Sequence, residues 1–241
     1  MAEKGGGGRR RSFRAGRAMA VRVAGAGRKP SSAEWLSRQL NDPYVAEARR
    51  LGYRSRAAFK LIELDDRFRL LRPGLRIVDL GCAPGGWTQV AVERVGAAGG
   101  VVGVDFAEVA PIAGAKILRA DIYDPALTPA LIEAELGGPA DVVLSDMAPP
   151  TIGHAATDHL RIVALAEAAY SLAAAILKPG GALVAKVFQG GAAGALLTVL
   201  KRDFAELRHV KPPASRARSP ETYVVATGFR SGKQTAERRQ L

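Results

Sequence analysis

A chain of 241 residues, 48% of them hydrophobic, is long enough for one α/β domain with a substantial core, and no apolar run in it approaches the roughly 20 residues that a membrane span needs. The single cysteine, Cys82, excludes an internal disulfide, and no Cys/His cluster has zinc spacing, so the defaults are a reducing compartment and no metal. The formal net charge of +12 is uneven, because residues 1–30 hold nine Lys/Arg against one Glu and so carry +8 of it. That segment, Gly-rich and poor in large apolar residues, cannot bury enough surface to offset the entropy of ordering, and it reads as a disordered basic tail. Charge of this kind suits a phosphate-binding arm, a solvated tail or an organellar transit segment, and the GGGG run at 5–8 disfavours an amphipathic transit helix. Residues 31–230 are expected to form the globular domain, and 231–241 a second disordered tail.

Order is expected from Ser31, where Ser31-Ser32-Ala33-Glu34 has capping-box spacing. Asp42-Pro43 offers an N-cap followed by a proline at the first helical position. Gly52 stops that helix, and Ser55 is placed to cap the next, which runs through RAAFKLIELDDRF to about Phe68 before Arg72-Pro73-Gly74 breaks the chain. Arg49, Arg50, Arg54, Arg56 and Lys60 make this a basic region, to be read either as solvated helix faces or as a nucleic-acid contact.

From residue 75 apolar runs of strand length alternate with helical segments. LRIVDLG (75–81), GVVGVD (100–105), AKILRAD (115–121), ADVVLSD (140–146) and GALVAKV (181–187) are the predicted strands, with helices over 85–95, 125–136 and 159–177 between them. AAGALLTVLKRDF is a further helix, and HVKPP and ETYVVATGF (221–229) read as late strands. The spacing predicts βαβ units in a doubly wound, mostly parallel sheet covered by helices on both faces. In such sheets ligands bind beyond the carboxyl ends of the strands, at the switch point of strand order.

Asp105, Asp121 and Asp146 each end a predicted strand, and Asp79 lies near the end of the first. One such aspartate is a turn former more often than not, but several at one edge suggest a site. Between the first strand and its helix stands DLGCAPGGW (79–87), whose glycines allow close backbone approach and whose helix start offers free N–H groups. Asp105 follows Gly81 by 24 residues, near the spacing at which an acid meets an adenosine ribose. The dinucleotide fingerprint G-x-G-x-x-G fails at its second glycine, since the loop reads Gly81-x-x-x-Gly85-Gly86 with Pro84 inside it, and Asp121 suits hydrogen bonds to a base. These features favour S-adenosylmethionine over a nicotinamide cofactor.

DLGCAPGGW, SDMAPP, VAKVFQG and SRARSPETYVVATG, in that order and spacing, resemble the FtsJ family of ribosomal RNA ribose 2′-O-methyltransferases over roughly residues 31–230. The resemblance implies a Rossmann-like seven-stranded methyltransferase fold, S-adenosylmethionine as methyl donor, and a uridine of large-subunit ribosomal RNA as acceptor in support of ribosome assembly. It also implies a cytoplasmic monomer with no metal and no membrane contact. The family's catalytic Lys-Asp-Lys-Glu tetrad matches Lys60 in SRAAFKL, Asp146 in SDMAP, Lys186 in AKVFQG and Glu221 in SPETY, and its cofactor contacts match Gly85, Trp87, Asp105, Asp121 and Asp146. Pro150 stands where the family usually has Asn, which bears on the loop over 150–157.

A lone lysine in an apolar strand is costly when ionised and unpaired, so Lys186 needs partners. At the carboxyl edge, Asp146 and Glu221 are available. Methyl transfer to a hydroxyl requires that oxygen to lose its proton, and a lysine serves as base there when its amine titrates near 7–8 instead of about 10.4; otherwise it acts as an ammonium that stabilises the developing alkoxide. His154, His159 and His209 are too scattered for a triad, Ser145 lacks a G-x-S-x-G context, and Cys82 has no adjacent His, so it reads as a packing residue. Three functions stay open on the residues: an RNA ribose methyltransferase acting on ribosomal, transfer or other RNA, an NAD(P)-dependent oxidoreductase, and a non-catalytic RNA-binding assembly factor.

Overall fold

The computed structural model describes residues 40–124, 126–150, 152–188 and 194–230. Two helices lead: α1 (Pro43–Leu51) and α2 (Ala58–Phe68). There follow β1 (Arg76–Leu80), α3 (Gly86–Val95), β2 (Gly100–Asp105), β3 (Lys116–Arg119), α4 (Pro129–Leu136), β4 (Ala140–Ser145), α5 (Ala155–Ile176), β5 (Leu177–Phe188), α6 (Gly194–Asp203), β6 (Phe204–Val210) and β7 (Glu221–Phe229). The seven strands form one sheet in the order β3-β2-β1-β4-β5-β7-β6. β1 to β5 run parallel, and β7 inserts antiparallel between β5 and β6.

Alternation along each strand feeds two cores, one per face of the sheet. Val78, Val102, Val143, Leu183 and Ala185 point to the side of α4, α5 and α6, where Ala166, Ala169 and Ala173 let α5 lie close. Ile77, Val101, Val142, Leu144 and Val184 point to the side of α2 and α3, against Leu61, Leu64, Trp87 and Val90. Both faces are covered, as continuous apolar strands require. The 21 residues Ala156–Ile176 of α5 are long and apolar enough by length and composition to cross a membrane, contrary to the expectation that no run approached that size. In the fold this helix buries Ala166, Ala169, Ala173 and Ile176 on the sheet.

Local signals mostly act as their chemistry dictates. Asp42 caps α1, its Oδ1 accepting from the Tyr44 N–H at 3.1 Å, and Gly52 ends it in the left-handed conformation at φ +79°. Ser55, by contrast, does not cap α2: the cap position is Ala57, in helical conformation with no side-chain bond, and the Ser55 hydroxyl is buried without a partner among the described residues. α4 begins at Pro129 rather than 125, because Thr128 supplies the cap by accepting from the Leu131 N–H at 3.1 Å. α5 begins at Ala155 rather than 159, with His154 as its cap. Lys178-Pro179-Gly180-Gly181, just past the predicted helix over 159–177, is drawn into β5 at a register shift opposite Ala140–Val142. The sixth strand is Phe204–Val210, not HVKPP, since FAELRHV pairs with β7 while Pro212 and Pro213 have no N–H to give. Both tails and the Ser31–Glu34 capping box lie outside the described residues.

Candidate active site

Strand register brings the charged residues together. Ala185 of β5 pairs with Ser145 of β4, so the next residues along, Lys186 and Asp146, meet at the carboxyl edge. On the other side of β5, Lys186 pairs with Tyr223 and Phe188 with Glu221, which places Glu221 one strand step from Lys186. Lys60 reaches the same point from α2. The Lys186 ammonium donates to Asp146 Oδ1 at 2.7 Å and to the Asp146 carbonyl at 2.8 Å, and lies 3.7 Å from Glu221 Oε2. Lys60 Nζ lies 2.7 Å from Glu221 Oε1 and 3.5 Å from Asp146 Oδ2. All four residues expected to form a tetrad therefore share one cluster.

Two lysines against two carboxylates leave the cluster neutral, and this makes the burial of Lys60 and Lys186, at 8% and 7% exposure, tolerable. Burial alone pushes the Glu221 carboxyl up, but the ammonium groups of Lys60 and Lys186 outweigh it and hold the acid at about 2. The Ser215 hydroxyl, 2.9 Å from Glu221 Oε1, adds to that. A fifth member was not foreseen. The fully buried Tyr223 hydroxyl accepts from Lys60 Nζ at 3.0 Å, donates to Asp146 Oδ1 in a short bond, and lies 3.1 Å from Glu221 Oε1. Burial, followed by the charges of Asp146 and Glu221, raises its phenol well above 10. Its place in the ETYVV strand pattern disguised it as a core aromatic, although its same-face position relative to Glu221 was available from the period of two.

Beside this cluster a cavity of about 650 Å³ opens at the ends of β1, β2, β3 and β4. Asp105, Asp121 and Asp146 line it, as expected from the acidic strand ends, together with Gly81, Ala83, Phe106, Ile122, Tyr123 and Met147. Asp105 is fixed from behind, its Oδ2 accepting from the Ala83 N–H at 2.9 Å and its Oδ1 from the Ala107 N–H at 2.8 Å. A Cβ at Gly81, which holds φ +73°, would overlap the Met147 side chain, so the loop must have glycine there. Gly85 and Trp87 do not line the cavity. Gly85 caps α3 at φ +113°, and Trp87 is buried, with its Nε1–H donating to the Ala57 carbonyl at 2.8 Å and its ring 5.6 Å from that of Tyr223. Phe106 and Tyr123, among the most exposed large apolar residues at 72% and 60%, face a ligand space. Each stands next to or near an acidic strand end, the signal that would have found them.

Asp79 lies under the loop. Its Oδ2 accepts from the Thr88 hydroxyl at 2.7 Å while Oδ1 has no partner among the described residues. Burial pushes this carboxyl up to about 7; the Thr88 bond opposes the rise, and the charges of Asp146 and Asp105 add to it. Cys82 packs beside it, 3% exposed, its thiol pushed up to about 12 by burial and then by Asp79 and Asp105, which fits a packing role. Of the basic region, Arg49 and Arg50 are exposed, whereas Arg54 and Arg56, between α1 and α2, are spent on bonds within the fold. Arg54 donates to the carbonyls of Pro84, Ala110 and Pro111 at 3.2, 2.6 and 2.7 Å, and so staples the glycine loop. Arg56 pairs with Asp42 at 3.0 Å and donates to the Ala214 carbonyl at 2.5 Å, and Arg50 pairs with Glu47 at 2.6 Å. Among the described residues no three His, Cys, Asp or Glu side chains are grouped to hold a metal.

A parallel sheet with an antiparallel seventh strand inserted beside its last parallel one, and a cavity with carboxylates at adjacent strand ends, define a methyltransferase of the S-adenosylmethionine class. The FtsJ-like methyltransferase family model matches residues 53–229. The chain belongs to that family. Two relatives are named ribosomal RNA large subunit methyltransferase E: that of Paramagnetospirillum magneticum is 62% identical over 212 residues, covering 86% of each chain, and that of Acidiphilium cryptum is 60% identical over 215 residues, covering 89% of this chain and 94% of its own. Among solved structures, a Plasmodium falciparum protein assigned as a ribosomal RNA methyltransferase superimposes with TM-score 0.64 at 31% identity, covering 73% of this chain and 98% of its own.

Proposed function

We propose that the protein transfers a methyl group from S-adenosylmethionine to the 2′-hydroxyl of a uridine ribose in large-subunit ribosomal RNA, acting as a cytoplasmic monomer during ribosome assembly. The observation that carries the reading is the neutral cluster of Lys60, Asp146, Lys186 and Glu221 at the mouth of a cavity whose wall includes Asp146. The names of the relatives support ribosomal RNA as substrate.

The cavity fits the cofactor: acidic strand ends for the ribose and base at Asp105 and Asp121, apolar Phe106 and Ile122 for the adenine, and a glycine-only approach at Gly81. When bound, S-adenosylmethionine supplies an electrophilic methyl on a sulfonium. The rest falls to the chain. Asp146 closes the cavity wall and orients Lys186 with both its carboxylate and its carbonyl. Glu221, held at about 2, is too weak a base to take the hydroxyl proton, and Tyr223, raised well above 10, stays protonated. The lysines remain, and Lys186 is the one bonded to Asp146 at the cavity edge; as a neutral amine, after its ammonium has given one proton to solvent, its Nζ would take the proton of the 2′-hydroxyl when that oxygen bonds to the methyl carbon and the methyl's bond to sulfur breaks. Lys60 locks Glu221, which in turn faces Lys186. General-base help of this kind is worth about 10²–10⁴-fold.

The test is mass-spectrometric mapping of ribose methylation in total RNA from cells with and without the protein, followed by methylation with the purified enzyme. A missing 2′-O-methyluridine in the large-subunit RNA of the deletion strain, restored in vitro with or without chelator, is the expected result. A mark restored on a base atom, or on transfer RNA, would overturn the assignment.

A further inference from the structure

β5 does not end at Lys186. Its last residue is Phe188, two residues and about 7 Å beyond Lys186 along the strand. In register it is paired with Glu221. Residues 181–187 are buried, yet Phe188 is partly exposed, and it belongs to none of the apolar clusters found among the described residues. Nor does it line the cofactor cavity. Among the described residues the ring against it is that of His159, from the second turn of α5, with centroids 6.3 Å apart and planes at 42°. His159 Nε2 is buried without a hydrogen-bond partner among the described residues. A buried polar atom without a partner needs a reason.

Resting on the ribose-methylation reading, we infer that Phe188 is the stacking platform for the base of the acceptor nucleotide, and that His159 backs it and bonds the polar edge of that base. The base hangs from the sugar carbon next to the one bearing the reacting hydroxyl. A ribose whose 2′-oxygen meets Lys186 therefore carries its base within about one strand step of the site, and the partly exposed ring at the outward end of that strand is Phe188. Enzymes acting on a single nucleotide commonly take it out of its stack and hold it against aromatic side chains, reading its edge by hydrogen bonds. The face of Phe188 and the unpaired nitrogen of His159 supply both parts.

The test uses the whole enzyme with large ribosomal subunits from cells lacking it, and measures single-turnover methyl transfer at a series of subunit concentrations. Stacking is worth about 1–3 kcal/mol per base, so Phe188→Leu is expected to lower kcat/KM for subunits roughly 5- to 150-fold. Cofactor affinity and the thermal midpoint should stay at wild-type values, and Phe188→Trp should keep activity within about 3-fold, since another aromatic face restores the platform. His159→Phe keeps the ring and loses the nitrogen, and should cost about 2- to 10-fold. Wild-type efficiency in Phe188→Leu, or a loss matched by weaker cofactor binding, overturns the inference, and an unchanged His159→Phe removes His159 from it. Wild-type enzyme that leaves the subunits unmethylated overturns the underlying reading instead, and shows this before any variant is made.

Discussion

Glu221→Gln tests the electrostatic design of the site directly. The carboxyl titrates at about 2 in the fold against 4.5 ordinarily, and at about 1.4 kcal/mol per pH unit the difference amounts to about 3 kcal/mol. The folded value is depressed, so this stability is present in full above pH 4.5 and is lost as pH falls through about 2. Glutamine keeps the volume and an acceptor for the Ser215 hydroxyl but removes the charge facing Lys60 at 2.7 Å and Lys186 at 3.7 Å. The variant should therefore be about 3 kcal/mol less stable at pH 7, roughly 1–1.5 kcal/mol less at pH 3, and nearly equal to wild type at pH 2. The pH 7 figure meets the lower end of what breaking a buried ion pair costs, about 3–5 kcal/mol. Urea unfolding of both proteins at pH steps from 2 to 8 measures the difference, and common effects of acid cancel in it. A gap that stays constant from pH 7 to pH 3, or that is under about 1 kcal/mol at pH 7, would refute the reasoning.

Lys186→Ala should leave cofactor binding in place and lower single-turnover methyl transfer about 10²–10⁴-fold, and a variant keeping more than about a tenth of the activity contradicts its role as base. Asp79→Asn acts in the opposite pH direction to Glu221. Its carboxyl is raised to about 7, so wild-type stability should fall between pH 3.8 and about 7. Asparagine should flatten that slope in urea titrations and leave the variant more stable at pH 8, by about 4 kcal/mol less the roughly 1–3 kcal/mol of an unpaired buried amide. Cys82, buried with its thiol near 12 rather than 9.0, should react with a disulfide reagent at pH 8 about a thousandfold more slowly folded than in urea, and comparable rates would show the loop opening readily.

Much of the sheet was legible because parallel strands buried on both faces read as unbroken apolar runs, and RIVDL, GVVGVD and ADVVLS fall within a residue or so of their predicted bounds. The failures are physical as well. FAELRHV is an edge strand with exposed positions between Phe204 and Val210, and by pattern alone it continues the preceding helix. The cap at His154 is an uncommon one, so the first turn of α5 went unread. Among site residues, Glu221 was placed by the family resemblance alone, whereas Lys60 and Lys186 announced themselves as charges in apolar elements and Asp146 as an acidic strand end. Tyr223 and Phe188 did not, because an aromatic in a strand is what packing alone would place there. The two arginines between α1 and α2 are hard to read for a related reason: the sequence shows the charge of Arg54 and Arg56 but not the carbonyls of Pro84, Ala110, Pro111 and Ala214 that take it up.

The site's geometry is enforced by packing remote from it. Ala182 and Val184 enter one core while Leu183 and Ala185 enter the other, and a slip of one residue in β5 would exchange those sets and turn Lys186 away from Asp146. The cost of misplacing the apolar residues thus secures the placement of the lysine. Glu221 is held similarly from outside the sheet. The segment before it, 211–220, is fastened to α2 where Glu63 accepts from the Ala214 N–H at 2.7 Å, and to the start of that helix where Arg56 donates to the Ala214 carbonyl. The next residue, Ser215, donates to Glu221. α2 also carries Lys60, so one helix supplies the partner of Glu221 and fixes the loop that aims it, and the two cannot drift apart without losing Glu63 and Arg56 as well.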